Sequence, residues 1–340
     1  MKITTKEVRD VNNILDEIIK DYKENKEETK RDWRTYEQRV DERLKKAFHE
    51  LKPLVHEAVS LIKIMKANNR GNKSILNLDQ KVLILLLKHL FGESNRDMSH
   101  MFVLFSWLTN IEISYKTVER LYSDDLVIIA LHNLHILILK KKGITKADCG
   151  GDGTGYSLHV KEHYATATDK LKDKAKENSK KIKFIFSFAM IDILTRMYIC
   201  YGVGFKSEQE AFLNAISMTK EFDIEINSLR LDKYYSCQSY VELLNNNFGK
   251  VKMYLIPKKN ATIKGSWGWK RMLHKFVNET KLYLEDYYKR NQSESGFSED
   301  KKRTGWKLGQ KREDRLETAN KLTHLWHNLT HLWHNLYWLG

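Results

Sequence analysis

The spacing of apolar residues changes once in this chain, near Ala147, and that change limits the folds open to it. Upstream, Val8, Val11, Ile14, Leu15, Ile18 and Ile19 recur at steps of three and four, the mark of an amphipathic helix. Thr4 precedes Glu7 by three residues, a capping-box spacing at its start. A second helix is expected over about Trp33 to Met65, and turn residues from Asn68 to Ser74 close the region. Asp79–Phe91, Arg96–Trp107 and Ser114–Tyr122 then read as three short helices, and Leu126–Leu139 as an apolar one. Downstream the texture is different. Lys183–Ile191 and Arg196–Gly204 are β-rich runs around a turn at Asp192–Thr195. Glu208–Phe222, Ile224–Leu231, Cys237–Asn247 and Val251–Ile256 then alternate helix and strand. With a first strand near Asp152 the order is β-β-β-α-β-α-β, which demands a mixed sheet covered by helices.

At 340 residues the chain is long enough for two or three domains with real cores. Its net charge of +15 concentrates polyanions at the surface and favours nucleic-acid binding, without separating DNA from RNA or an anionic membrane. Three widely spaced cysteines, Cys149, Cys200 and Cys237, form no Cys-x2-Cys pair, so a disulfide framework or zinc ribbon is not expected and a reducing compartment is. No apolar leader is visible after Met1, and Val82–Leu87 and Leu126–Leu139 are too short or too interrupted to span a bilayer. A cytoplasmic protein that engages no membrane is the expectation.

Near the C-terminus, Tyr287, Arg290, Glu294 and Lys301 follow the order Tyr-x2-Arg-x3-Glu-x6-Lys. On one uninterrupted helix they would sit at roughly 0°, 300°, 340° and 320°, inside a narrow stripe. An acid flanked by a phenol, a guanidinium and an ammonium suits a metal-bound phosphodiester: the carboxylate holds the cation and the donors hold phosphate oxygens. A solvated helix face of mixed charge would look the same in isolation.

The spacing resembles the Tyr-Arg-Glu-Lys signature of DDE transposases from bacterial and archaeal insertion sequences. That resemblance covers about residues 145 to 305 and implies a ribonuclease-H-like domain, a mixed five-stranded sheet flanked by helices, preceded here by an all-α region. It makes Glu294 the third catalytic acid and requires two upstream aspartates, one in the first strand and one after the fourth. Asp152 in Gly-Gly-Asp-Gly-Thr-Gly-Tyr and Asp232 in Leu-Arg-Leu-Asp-Lys-Tyr-Tyr meet that requirement in order. Asp148 stays open as the first acid, because Cys149-Gly-Gly precedes Asp152 where relatives carry an apolar run, and the strand could be irregular or begin later. Asp192 lies in the hairpin turn and reads as a turn former.

The resemblance further implies two Mg2+ ions, with Mn2+ as a substitute, bridged by Asp152 and served singly by Asp232 and Glu294. Water would release a 3′-hydroxyl at the element end, and that hydroxyl would attack target DNA. Arg290 and Lys301 would grip phosphates and Tyr287 would lie against the strand. The implied partners are double-stranded DNA, both element ends and target, and a second copy of the chain when DNA is bound. A prokaryotic, nucleoid-associated location goes with them. Many relatives insert a β-rich subdomain between the second and third acids; here only about Lys258 to Tyr283 is left, where Trp267 and Trp269 either pack a small cap or stack on a displaced base.

The organisation expected is a helical arm at 1–66, a helix-turn-helix-like region at 67–140, the catalytic domain at 141–320 and a helical tail at 321–340. In the second unit, the helix that opens at Ser114 would offer Tyr115, Lys116, Glu119 and Arg120 to a DNA groove. The Lys-rich Lys170–Lys183 reads either as a loop tracking a DNA backbone or as a solubilising charge run. The tail repeats Leu322–Asn328 unchanged as Leu329–Asn335. His324, His327, His331 and His334 share one helical stripe, which suits a metal, but an unaltered duplication and the Leu and Trp positions favour plain packing. Gly151–Gly155 lacks the spacing of nucleotide loops, and a calcium loop opened at Asp148 would put His159 where its Glu belongs. Two rival functions remain: a metal-dependent nuclease of the same fold that does not join DNA, and a DNA-binding protein whose sheet domain is inactive.

Overall fold

A computed structural model of the chain describes residues 3–25, 33–63, 75–104, 106, 111–158, 184–305 and 307–333. The turn expected at 68–74, the loop at 170–183 and the end of the second heptapeptide lie outside the described residues.

The Thr4–Glu7 capping box is present and opens α1 (Thr5–Asn13). The single helix expected here breaks at Ile14, and α2 (Leu15–Glu24) follows directly. Helix α3 (Trp33–Ser60) is followed by α4 (Leu78–Phe91), which is framed by a capping box from Asn77 to Gln80 and by Gly92 in the left-handed region at φ 66°. Next come α5 (Asn95–Leu104), α6 (Tyr115–Leu121), whose Ser114 accepts from the Thr117 N–H, and α7 (Asp125–Lys141), capped by Asp124. Helix α7 is apolar on nearly every side because it is enclosed, packed between α3 and the last helix of the chain. Among the described residues no single helix is long and apolar enough to cross a membrane.

The second half builds β1 (Lys146–Leu158), β2 (Phe184–Asp192), β3 (Tyr198–Gly204), α8 (Glu208–Met218), β4 (Glu225–Arg230), α9 (Gln238–Phe248) and β5 (Lys252–Tyr254). Then follow α10 (Trp267–Asn278), α11 (Thr280–Tyr288), α12 (Asn291–Thr304), β6 (Lys307–Leu308) and α13 (Glu313–Leu332). The strand order is β3-β2-β1-β4-β5, with β1, β2 and β3 antiparallel and β4 and β5 parallel to β1. This is the helix-flanked mixed sheet of ribonuclease-H-like type. It holds one strand more than the five expected: two residues of β6 pair in parallel with the end of β1, too short a segment to carry a β pattern of its own.

Strand β1 runs through Cys149-Gly-Gly without interruption, with one register shift at Ala147/Asp148. Its glycines replace the apolar run because both faces are crossed closely. A Cβ on Gly151 would stand 2.6 Å from Leu231 and 2.9 Å from Phe188; one on Gly150 would stand 3.0 Å from the Ser293 hydroxyl and 3.3 Å from the Arg290 Cα.

The largest departure from expectation is the C-terminal segment. The boundary drawn at 320/321 falls inside α13, and α13 is an inner helix, packed against α3, α4, α7, α12 and β3. It closes the open edge of the sheet. Asn328 pairs with both the N–H and the C=O of Tyr198 at 2.7 and 2.8 Å, while His135 on α7 reaches the Ile199 carbonyl at 2.9 Å. One continuous apolar core consequently runs from Val8 to Leu332.

Candidate active site

Strand register places the first two acids. In the parallel pair β1–β4, Gly150 lies opposite Arg230, and pairing on that edge stops there. Asp152 and Asp232 each come two residues later, where the two strands have parted. The edge of β1 stays open until Ser157 meets β6. Helix α12 starts directly over Gly150, made possible by its missing side chain, and delivers Arg290 and Glu294 to the same opening.

Arg290 is the hub. Its Nη1 donates to Asp152 Oδ2 at 2.9 Å and its Nη2 to Glu294 Oε1 at 2.7 Å, and its guanidinium lies 5.9 Å from the centre of the Tyr287 ring. Burial pushes the Asp152 carboxyl up to about 6; Arg290 and the Gly153 N–H hold it down, while the charges of Glu294 and Asp232 push it further up. Asp232 is thus an electrostatic neighbour of Asp152 and Arg290, and it also caps the 3-10 turn Lys233–Tyr235. Among the described residues the three acids do not close to within 4.8 Å of one another, as Arg290 stands between two of them. Lys301 continues the stripe, donating to Thr154 at 2.7 Å and lying 5.3 Å over the Tyr156 ring. Asp152, Thr154 and Tyr156 alternate along one face of β1, so α12 tracks that face from end to end.

The four signature residues do not ride on one helix. Tyr287 lies in the last turn of α11, and Lys289 and Arg290 form a tighter link, with Arg290 N–H bonded to the Tyr287 carbonyl and Ser293 N–H to that of Arg290. An assumed 100° per residue hides this step. The Arg230 guanidinium, buried behind β4, fixes the link by gripping the Asp286 carbonyl and carboxylate at 2.8 and 3.0 Å.

Asp148 is removed from the opening. It accepts from the Ser228 hydroxyl, which is backed by Arg230, and its own N–H donates to Asp192. Asp192 binds the Thr195 N–H and hydroxyl at 2.7 Å each and so anchors the hairpin turn. Trp269 is buried, with its indole N–H on the Thr262 carbonyl, whereas Trp267 is 76% exposed. The stretch after β5 is helical, formed by α10 and α11. On α6, Tyr115, Lys116 and Arg120 are exposed, with Tyr115 lying under the Arg96 guanidinium at 5.0 Å. Glu119, grouped with them from sequence, turns instead to Arg315 on α13.

Two residues were missed. Thr154 was legible as the next outward position after Asp152 on a strand. Glu208 left no such signal: its carboxyl group fills the space beside Gly153 and accepts from the Tyr235 hydroxyl at 2.7 Å, next to Asp152.

No family model matches the chain. A protein of Archaeoglobus fulgidus described as the probable transposase for insertion sequence element ISA1214 is 39% identical to it over 329 residues, which span 96% of each chain.

Proposed function

The chain belongs to the insertion-element transposases, and from that premise we propose that Asp152, Asp232 and Glu294 are the acids with which it cuts and joins DNA at element ends. The observation that carries this reading is that one guanidinium, Arg290, joins Asp152 of β1 to Glu294 of α12 at the split in the sheet where the chain leaving β4 carries Asp232. An Asp152 carboxyl raised by burial and by the charges of Glu294 and Asp232 marks a place that wants positive charge. The donor set is all oxygen, which fits Mg2+ or Mn2+ and does not favour a soft metal. Bound by these three acids, such ions would supply a Lewis acid that activates water or a 3′-hydroxyl and offsets charge on the leaving oxygen.

The remaining residues position the substrate. Arg290 presents a planar fork suited to two oxygens of one phosphate, and it exchanges its carboxylate partners for that phosphate when DNA and cations arrive. Lys301 offers a point contact further along the same face of β1. Tyr287, 7% exposed, braces the fork and limits where the strand can lie. Tyr115, Lys116 and Arg120 on α6 would contact duplex DNA outside the cut, and joining two ends in one event calls for two copies of the chain.

The test is Glu294→Gln, on a side chain exposed enough to leave folding intact. The variant should bind end DNA as before and lose magnesium-dependent nicking; nicking near the unsubstituted rate removes Glu294 from the site. Supplying pre-cut ends and target DNA reads strand transfer separately, and cutting without joining would favour a nuclease.

A further inference from the structure

The repeated His residues of α13 are not used by the acid site, yet two of them meet an acid on the far side of α12. His327 and His331 lie one turn apart with rings stacked, 4.3 Å between centres and 12° between planes. Glu299 faces them, its Oε2 3.1 Å from His331 Nε2. One ligand atom from each of the three lies within 4.8 Å of the other two, and among the described residues no other group of three His, Cys, Asp or Glu closes this far. We propose that Glu299, His327 and His331 bind a divalent ion of the zinc class, at a second site separate from the acids that face the DNA.

Four features support it. Two imidazoles and one carboxylate are a three-ligand set for zinc and a poor one for magnesium. Asp300 Oδ1 sits 2.8 Å from His327 Nδ1, which leaves Nε2 to face the site; a carboxylate behind a ligating imidazole is the arrangement that orients such ligands. Nε2 now meets the Arg196 carbonyl at 2.8 Å, so the ion would take the place of the proton shared there. Among the described residues Arg196 is the non-glycine one held at positive φ, 59°, and its carbonyl turns inward to His327. Finally, a cavity of 460 Å³ opens beside the three residues, lined also by Tyr22, Gln292 and Ser295, so an exchangeable ligand has room. Arg303 pairs with the other Glu299 oxygen, fixing the carboxylate while reducing its charge. His324 is not part of the group; it bonds to Ser187. Glu294 and Glu299 lie on different sides of α12, so the ion would fasten the helix that carries Glu294 to α13 without entering the acid site.

The experiment uses the full-length, chelator-treated protein without DNA, in excess magnesium, and titrates zinc alone and cobalt(II) alone. One zinc per chain should bind, cobalt should show the visible absorption of a low-symmetry nitrogen-oxygen site, and the melting temperature should rise. His331→Gln and Glu299→Gln should each weaken zinc binding by about a hundredfold or more and abolish the shift in melting temperature, whereas Glu294→Gln should change neither. Glu299 is partly exposed, so its variant decides the matter if the buried His331 variant unfolds. Absence of zinc binding overturns the proposal, as does undiminished binding in both ligand variants, or loss in Glu294→Gln, which would put the ion among the acids.

Discussion

Leu322–Asn328 and Leu329–Asn335 are the same seven residues, and the described part of the second copy, 329–333, ends the helix that the first copy runs through. Seven residues on, a side chain has turned to nearly the same direction and moved about 10 Å along the axis. In the first copy that position is the middle of the core. Trp326 is fully buried and donates to the Leu86 carbonyl at 2.8 Å, Thr323 meets His89, His324 meets Ser187, and Asn328 completes the edge of β3. In the second copy Leu329 to Leu332 are still buried, and the same direction first reaches the surface at Trp333. Thr330 bonds only to its own helix, Lys142 caps the Leu332 carbonyl at 3.0 Å, and Trp333 is 37% exposed at the end of α13. Identical sequence thus carries unequal energy, because burial belongs to the place and not to the letters.

The comparison can be broken most directly at its tryptophans. Trp326→Ala should destabilise the protein by about 4 kcal/mol, the cost of a large buried side chain plus its cavity, read as a loss of chemical-denaturation midpoint. Next, Asn328→Ala should cost about 3 kcal/mol, since it strands a buried N–H and a buried C=O of Tyr198. A third effect comes from acid. Burial pushes His135 down to about 4 and His89 and His324 down to about 3, so the unfolded chain binds more protons between those values and about 6.5. The contribution of these three rings is therefore complete above about pH 6.5 and falls as pH drops toward 4. His135→Gln should flatten that fall measurably in pH-dependent melts; an unchanged acid limb would show that this ring is not held neutral. The smallest effect closes the comparison: Trp333→Ala should stay within about 0.5 kcal/mol. A loss there to match Trp326 would mean that the second copy is as deeply embedded as the first.

Much of the sheet-bearing half was legible in advance. The β2–β3 hairpin and the helices after β3 and β4 follow from periodicity, and Asp152 within the first strand, Asp232 after the fourth and Glu294 on a helix lie in the order that the resemblance implied. The first strand was harder, because its glycines answer to Leu231, Phe188 and the start of α12, none of which is near it in sequence. The signature's step at Lys289–Arg290 was invisible for a similar reason. A 3-10 link differs from a helical turn by one hydrogen-bond register, and Arg230 on another strand holds it. Glu119 shows the limit on the helical side: its partner, Arg315, lies across the fold on α13.

Local spacing, charge and caps decided which segments are helices and strands, where they stop, and that the surface is basic, since those depend on neighbours within a few residues. Which tryptophan of a repeated heptapeptide is core, which aspartate of a glycine-rich strand faces Arg290, and which of His324, His327 and His331 meet Glu299 were settled only when distant elements packed. Burial, electrostatic crowding and ligand distance are properties of that packing, and no stretch of chain contains them alone.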